Sequence, residues 1–416
     1  MLFLYRLIIN LIFLISPIII IYRILKKKED PKRFLEKIGK FSKKNNNKNL
    51  IWFHGSSVGE ILSIVPLIEK LEKKKNIKKI LITSNTLSSA RIVKKLKLKK
   101  TFHQYYPLDT EFLVDKFLKH WKPKSVFFVE SEIWPNMILK IKEKKIPLIL
   151  LNARITKKSF KKWKRIIIFS KIVFNKFDLC LSQNNETNKY LKILGAKNIK
   201  NIGNLKYSQS NLDKKNKFIF NRKKYFKNKK VLFAAVSTHK GEELLCGKAH
   251  INIKKKYKNI ITIIIPRHID RTPEIVKELE ALNLKIHLHT SIKRPAFNTD
   301  IYLVDAFGET KSFLKFSKIV FMGKSIFAEG GQNPIEAATL GNRIIHGPNI
   351  QNFTEVYDFL NNQGISSRIN SHKSLENLIL KFLKKKNYSK QITKKLSNTG
   401  NQILLNNEKE INKCIN

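Results

Sequence analysis

Short apolar, β-type runs alternate with amphipathic stretches along most of the chain. The first series of such runs occupies residues 50–54, 79–83, 125–129, 147–152 and 179–182. A second series occupies residues 231–236, 260–266, 285–288, 301–304, 319–322 and 343–346. A polar or glycine-bearing turn follows each run, and then apolar residues recur at helical spacing, as in 61–71. Strands that alternate with helices in this way predict parallel, doubly wound sheets.

The two series predict an α/β protein with two Rossmann-like doubly wound domains facing a cleft. Residues 207–230 separate the series and are rich in Lys, Asn and Ser with little periodicity, which is typical of a linker. With 416 residues, the chain also exceeds the size at which one core usually stops growing. The predicted organisation is an anchor at 1–25, an N-terminal domain at 26–206, the linker, and a C-terminal domain with C-terminal helices at 231–416. Ligands of such sheets bind beyond the carboxyl ends of the strands.

The N-terminus predicts a single membrane anchor. Residues 1–25 are almost wholly apolar and are followed at once by Lys26, Lys27 and Lys28. A helix of this length can cross a bilayer, although Arg6 and Pro17 also allow a shallow or kinked insertion. No small-residue cleavage pattern follows, which favours a retained anchor over a removed signal peptide. By the positive-inside rule, the body is expected on the cytoplasmic side of the membrane.

The charge balance adds a candidate partner. The chain has 83 Lys and Arg against 31 Asp and Glu, a formal net charge of +52. Much of the excess is Lys and accompanies abundant Asn and Ile, so a compositional bias that leaves solvated lysines is one explanation. The charge still attracts anionic membrane lipids or a phosphorylated acceptor. A nucleic-acid binder is the alternative from a different class, but the chain lacks RRM, KH and helix-turn-helix signatures.

Metal and disulfide chemistry are not indicated. The three cysteines, Cys180, Cys246 and Cys414, have no CxxC spacing and fit a reducing compartment. No Asp-x-Asp motif is present, so we expect neither a metal site nor a cofactor.

In the first half, polar residues follow three predicted strands. Glu60 falls in the first turn of the helix after the glycine-bearing loop 54–59, where a plain capping role is the simpler interpretation. The helix dipole is expected to keep Glu60 ionised and therefore a weak base until a substrate desolvates it. Glu130 and Glu132 follow the strand at 125–129 as candidate acid/base groups, metal ligands or members of an ion-pair network, of which metal binding is disfavoured, and Arg154 adds a cation near the same rim.

In the second half, the corresponding loops suit a sugar nucleotide. His239 follows one strand, and Arg267 with His268 follows the next; these side chains can meet a phosphate. Paired glycines at 330–331 before Pro334 predict free amides aimed at a phosphate, and Glu336 is placed to accept from ribose hydroxyls. The GxGxxG fingerprint of a dinucleotide site, with its downstream acid, is absent.

Taken in order, the loop motifs resemble those of the Kdo (3-deoxy-D-manno-octulosonic acid) transferases of lipopolysaccharide synthesis. The resemblance covers nearly the whole chain, and the ordered set is far more specific than any one motif. It rests on SVGE at 57–60, ESEIWPN at 130–136, NARIT at 152–156, GNLKY at 203–207, STHKGEE at 237–243, PRHIDR at 266–271, and GGQNPIEAA at 330–338 through GPNIQNF at 347–353.

The resemblance implies an inverting GT-B glycosyltransferase that moves Kdo from CMP-Kdo to lipid A precursor at the inner membrane. It makes the N-terminal domain the acceptor domain and the C-terminal domain the donor domain. Glu60 matches the general base, and Glu130 and Lys206 match residues that stabilise the transition state. The donor-binding segments are matched by Arg267, His268, Phe307, Gly308, Glu309, Asn333, Pro334, Ile335 and Glu336. Lys324 stands where a glycine is usual, and Gln332 where a histidine is usual, which leaves the role of Gln332 open.

Two alternatives from the same fold stay open. One is a GT-B transferase that uses a UDP-sugar and another lipid acceptor, which the pair ESEIWPN and GGQNPIEAA disfavours. The other is a relative without catalysis, although each matched catalytic position keeps its functional residue.

Overall fold

The computed structural model describes residues 1–41, 49–96, 98–208, 225–226, 231–384 and 389–415. The predicted linker at 207–230 lies outside the described residues except for Tyr207, Ser208, Tyr225 and Phe226. The chain forms two compact units: Met1–Ser210 together with Thr399–Asn416, and Asn211–Asn398.

The first unit is built on a seven-stranded parallel sheet. Its strands are β1 (Leu50–His54), β2 (Lys79–Ser84), β3 (Thr101–Tyr105), β4 (Ser125–Val129), β5 (Leu148–Ala153), β6 (Leu179–Ser182) and β7 (Ile199–Asn201). The order across the sheet is β3-β2-β1-β4-β5-β6-β7. The chain runs outward from β1 to β3 and then restarts on the other side of β1 with β4. The β1/β4 boundary is therefore the switch point at which such sheets bind ligands.

Helices cover both faces of this sheet because residues on successive strand positions point to opposite faces and both faces are apolar. They are α2 (Val58–Glu72), α3 (Leu87–Lys95), α4 (Glu111–Trp121), α5 (Pro135–Glu143), α6 (Lys157–Arg165), α7 (Ile167–Phe174) and α8 (Asn185–Leu194). One core lies around Trp52, Phe117 and Phe128, and the core on the other face lies around Phe53 and Ile64.

The N-terminal helix α1 (Leu2–Leu25) contacts the first unit near both of its ends. Near its start, the Tyr5 hydroxyl donates to Asp109 (2.7 Å) and the Arg6 guanidinium pairs with Glu111 (2.7 Å). Near its end, Arg23 pairs with Glu29 (3.1 Å). By length and composition α1 could cross a membrane, and its other faces expose large apolar side chains: Phe3, Leu4, Leu7, Ile8, Leu11, Ile12, Leu14, Ile15, Ile18, Ile19, Ile21, Tyr22 and Leu25.

The second unit repeats the architecture. Its strands are β8 (Val231–Thr238), β9 (Ile260–Pro266), β10 (Ile286–Leu288), β11 (Ile301–Leu303), β12 (Ile319–Met322), β13 (Arg343–His346) and β14 (Ser366–Arg368). All pair in parallel in the order β10-β11-β9-β8-β12-β13-β14, so its switch point lies between β8 and β12. The helices are α9 (Glu242–Lys256), α10 (Thr272–Glu280), α11 (Thr310–Leu314), α12 (Ile335–Thr339), α13 (Thr354–Asn362) and α14 (His372–Lys384).

The C-terminal helix α15 (Ser389–Ile415) ends in the first unit. Its residues Ile403, Leu404, Ile411 and Ile415 are buried in the core that α2 covers, and Lys70 of α2 pairs with Glu408 (2.9 Å). The structure therefore groups residues from Thr399 onward with the first unit, whereas the predicted C-terminal domain ran from 231 to 416. The reason is physical: these apolar side chains complete the face of the first sheet beside α2.

Candidate active site

Glu60 lies in the first turn of α2, directly beyond the carboxyl end of β1. Its carboxylate accepts hydrogen bonds from the Ser56 amide (2.7 Å) and from the Ser57 hydroxyl (2.7 Å), while Ser57 caps the helix by accepting from the Glu60 amide (3.3 Å). These bonds fix the carboxylate at the carboxyl edge of the sheet, next to the switch point.

The expectation that Glu60 stays a weak base until substrate arrives is wrong. Burial raises the pKa of Glu60 above its usual range, and the negative charges of Glu132 and Glu130 add to the effect. The hydrogen bonds from Ser57 and Ser56 lower the pKa but do not outweigh burial. The helix dipole is therefore not the deciding influence, and Glu60 is a stronger base in the free protein than its position in the helix suggests.

Glu130 and Lys206 form a buried ion pair beside this position. The Lys206 ammonium lies 2.5 Å from Glu130 Oε1, and both side chains are largely buried. Glu130 has a φ of +58°, which is unusual for a residue with a side chain and marks a constrained turn after β4. The two residues are 76 positions apart in the sequence, and the fold brings both to the edge that carries Glu60.

Asn152 explains how Lys206 reaches Glu130. It lies near the end of β5 with a φ of +51°, and its side-chain oxygen accepts from the Leu205 amide (3.0 Å). Leu205 begins the short 3-10 turn Leu205–Ser208 that carries Lys206. Asn tolerates this backbone region better than most residues, so the NARIT motif supplies a positioning residue.

Glu132 and His54 form a second contact that the sequence did not predict. His54 Nε2 lies 3.0 Å from Glu132 Oε2, and the Trp134 indole donates to the same oxygen (2.8 Å). On its other side, His54 Nδ1 lies 2.9 Å from Thr83 Oγ1, and the ring stacks on Tyr106. Burial alone would raise the pKa of Glu132, but the hydrogen bond and electrostatic interaction with His54, with the bond from Trp134, lower it. Glu132 therefore remains a carboxylate and helps to raise the pKa of Glu60.

The N-terminal helix reaches the loop that carries these acids. The buried carboxylate of Asp109 accepts from Tyr5 of α1 and from the amides of Asn136 (3.0 Å) and Met137 (2.9 Å) in the first turn of α5. Burial raises the pKa of Asp109 to about 7, although all three hydrogen bonds act to lower it. The end of the ESEIWPN motif is thus tied to α1 through one carboxyl group.

The donor-site residues expected in the second unit lie in loops at the carboxyl edge of its sheet. Arg267 and His268 follow β9 and are exposed, and the His268 ring lies 5.6 Å from that of His239 after β8. Phe307 and Gly308 are exposed in the loop after β11, where Glu309 precedes α11. The segment after β12 carries the remaining residues, namely Asn333, Pro334, Ile335 and Glu336.

The prediction that the paired glycines offer free amides is wrong. The Gly330 amide donates to the Gln351 side chain (3.0 Å), and the Gly331 amide donates to the Lys324 carbonyl (3.0 Å). The helix that follows, α12, has only five residues and begins at Ile335, whose amide donates to the Asn333 side chain (3.1 Å). The glycines are needed because both have a positive φ (+106° and +68°).

Glu242 holds the loops of this edge together, a role that the sequence did not reveal. Its fully buried carboxylate accepts from four amides: His239 (2.9 Å), Lys324 (2.7 Å), Ser325 (2.8 Å) and Ile326 (3.1 Å). The loops after β8 and β12 are thereby fixed across the switch point. The sequence shows only that Glu242 is an acidic residue in the first turn of α9, inside the STHKGEE motif. Acidic residues are common at that position of ordinary helices, so the sequence did not single it out.

Within the described ranges, no group of three or more His, Cys, Asp or Glu side chains is arranged to hold a metal ion.

Two parallel Rossmann-like units, each with polar loops at the carboxyl edge, define the GT-B class of fold. Solved structures agree: UDP-GlcNAc 2-epimerase from Neisseria meningitidis aligns with a TM-score of 0.62 over 88% of this chain and 99% of its own, at 14% identity. A putative UDP-N-acetylglucosamine 2-epimerase from Listeria monocytogenes aligns with a TM-score of 0.61. At such identities the likeness concerns the fold alone.

Sequence comparison gives the family. The family described as 3-deoxy-D-manno-octulosonic-acid transferase (kdotransferase) matches residues 32–209. The 3-deoxy-D-manno-octulosonic acid transferase of Rickettsia bellii is 33% identical over 383 residues, which are 91% of this chain and 91% of that protein. The enzyme of the same name from Haemophilus influenzae is 29% identical over 86% of this chain and 83% of its own. The chain belongs to the 3-deoxy-D-manno-octulosonic acid (Kdo) transferase family and is a glycosyltransferase.

Proposed function

We propose that this protein transfers Kdo from CMP-Kdo to a lipid A precursor, lipid IVA, with inversion at the anomeric carbon and release of CMP. The observation that carries the proposal is the base at the first switch point: Glu60, with a raised pKa, beside the Glu130–Lys206 ion pair. Family membership supports the sugar that is transferred.

In the reaction, the acceptor hydroxyl oxygen bonds to the anomeric carbon of Kdo as the bond from that carbon to the phosphate oxygen breaks. CMP leaves with the electron pair, and Glu60 takes the proton of the acceptor hydroxyl. Its raised pKa suits this step because a base works best when its pKa approaches the working pH. The Lys206–Glu130 pair places a fixed ammonium beside the reacting centre, where it stabilises developing negative charge.

The second unit is proposed to bind the nucleotide at the edge formed by the loops after β8, β9, β11 and β12. Arg267 and His268 would meet the phosphate, and the Phe307–Glu309 loop with Asn333–Glu336 would meet the cytidine and ribose. Glu336 is exposed, as a partner for ribose hydroxyls must be.

A membrane-held acceptor agrees with the surface around α1. Phe112 and Ile168 are 70% and 78% exposed, and each adjoins a residue that meets the start of α1: Glu111 pairs with Arg6, and Phe169 packs near Tyr5. Helix α6 adds six exposed cations, namely Lys157, Lys158, Lys161, Lys162, Lys164 and Arg165. Apolar side chains beside cations suit anionic lipid headgroups. We infer that the body lies on the cytoplasmic face of the inner membrane, held by α1.

To test the proposal, full-length protein in detergent is incubated with lipid IVA and with CMP-Kdo that is synthesised in the reaction mixture. The mass of the lipid product is then measured by mass spectrometry. We expect a mass increase of one or more Kdo units, inhibited by CMP and not by UDP. No transfer from CMP-Kdo, together with inhibition by UDP of transfer from a UDP-sugar, would contradict it in favour of the UDP-sugar alternative.

A further inference from the structure

Lys324 has a backbone conformation that is unfavourable for residues other than glycine. It follows β12, directly after Gly323. Its φ is +57°, which lies in the left-handed region that glycine adopts easily and residues with a side chain do not. Its amide donates to Glu242 (2.7 Å) and its carbonyl accepts from Gly331 (3.0 Å). The surrounding loops therefore hold a residue that carries a side chain in this conformation.

The constrained backbone places the Lys324 ammonium over the Gly330 turn. Its Nζ lies 3.8 Å from the position that a Cβ atom would take on Gly330. The side chain is half-buried, and in the part of the chain that the structure describes no carboxylate forms an ion pair with it. A half-buried ammonium without an anion is a ready partner for an anionic ligand.

Lys324 lies beside the switch point of the second sheet, where such sheets bind ligands. It stands at the end of β12 and His239 at the end of β8, so the two residues flank the switch point of the second sheet. Burial lowers the pKa of His239, and the nearby charges of His268 and Lys324 lower it further. The amides of Gly330 and Gly331 already have acceptors, so these two amides do not neutralise an anion bound here.

We propose that Lys324 binds an anionic group of the donor substrate at the β8/β12 switch point, and that it supplies there the charge that the glycine amides do not. The anion is either the phosphate of the nucleotide or the carboxylate of the sugar. This inference rests on the proposed function, since it assigns Lys324 to the donor of that reaction.

The test compares Lys324→Met, which removes the charge, with Lys324→Gly, which also relieves the backbone constraint. Lys318→Met is the matched control, because Lys318 is exposed at the opposite end of the same strand. The Kd for CMP and for cytidine is measured by calorimetry, the donor KM by transfer, and thermal stability by scanning calorimetry. Both Lys324 variants should weaken donor affinity about tenfold, the loss expected for one charge-assisted contact, and Lys318→Met should not.

The pattern of loss identifies the anion. Weaker CMP binding with unchanged cytidine binding assigns Lys324 to the phosphate, and a raised donor KM with unchanged CMP binding assigns it to the sugar carboxylate. Lys324→Gly should match or exceed wild type in melting temperature, so its loss of affinity cannot be unfolding. Wild-type CMP affinity and donor KM in both variants would overturn the inference alone. A wild-type protein that neither binds CMP nor transfers Kdo would overturn the inference and the proposed function together.

Discussion

At the scale of single residues, three carboxylates at the edge of the first sheet have different surroundings. Glu130 is paired with Lys206, and Glu132 is held as an anion by His54 and Trp134. Burial, together with the negative charges of Glu132 and Glu130, raises the pKa of Glu60. Groups of the same type whose environments separate their pKa values can divide the roles of base and charge stabiliser.

The first prediction concerns Glu132→Gln. The amide keeps an acceptor for Trp134 but removes one of the charges that raise the pKa of Glu60. Glu60 acts when deprotonated, so activity is lost as pH falls through its pKa, and a lower pKa moves this acidic limb to lower pH. The pH profile of kcat/KM should therefore shift toward acid in the variant. An unchanged or alkaline-shifted limb would mean that Glu132 does not tune Glu60.

The sequence motifs identified Glu60, Glu130 and Lys206 as candidate site residues, but they did not predict the contacts that these residues make. Glu132 and His54 are 78 positions apart, and Lys206 meets Glu130 only because Asn152 holds the Leu205 turn. Such contacts depend on which strands become neighbours. The pKa of Glu60 was misjudged for the same reason, since burial and the two nearby charges follow from the fold rather than from its place in the helix.

At the scale of elements, the central strands were predicted, and of the four edge strands of the two described sheets β10 was predicted, at 285–288, but three were not. β1, β4 and β6 match their apolar runs within the predicted bounds, because both faces of a central strand are buried. β3, β7 and β14 were missed: β7 and β14 are three residues long, and β3 contains His103 and Gln104. Each forms or adjoins an edge, where pairing with one neighbour suffices without an apolar run.

The C-terminal helix gives the second prediction. Ile411 of α15 is fully buried in the core of the first unit, whereas Leu405 of the same helix is 51% exposed. Ile411→Ala should lower the free energy of unfolding by about 2–5 kcal/mol. Leu405→Ala should change it by less than about 0.5 kcal/mol, as surface substitutions usually do. Urea titrations followed by tryptophan fluorescence measure both, since all four tryptophans (Trp52, Trp121, Trp134 and Trp163) lie in the first unit. Equal effects would mean that α15 does not complete this core.

At the scale of the whole molecule, the proposed function divides the chemistry between the two units: it assigns the base and the surface around α1 to the first unit and donor binding to the second. The overall charge of +52 gives no information about this division, because lysines are spread along the chain. The division comes from the ordered motifs, each of which follows a strand of its own sheet, and it stays a prediction.

The third prediction concerns membrane attachment. Leu11 and Ile18 of α1 are 50% and 70% exposed, so replacing both with Asp should leave the melting temperature of the body unchanged. It should release the protein from vesicles of phosphatidylglycerol and phosphatidylethanolamine, because charged side chains are costly within the acyl region. Flotation in a density gradient measures binding, with Lys373→Asp on the second unit as the charge control. Full vesicle binding by the double variant would show that α1 is not the anchor.

The central claim is that Glu60 removes the acceptor proton, and single-turnover transfer by Glu60→Gln tests it most directly. Wild-type and variant proteins are mixed with CMP-Kdo and lipid IVA, and CMP affinity and melting temperature are measured on the same preparations. The account predicts at least a hundredfold slower transfer, the usual contribution of a general base, with CMP affinity and stability nearly unchanged. Transfer at the wild-type rate by a folded variant that binds CMP would contradict the account.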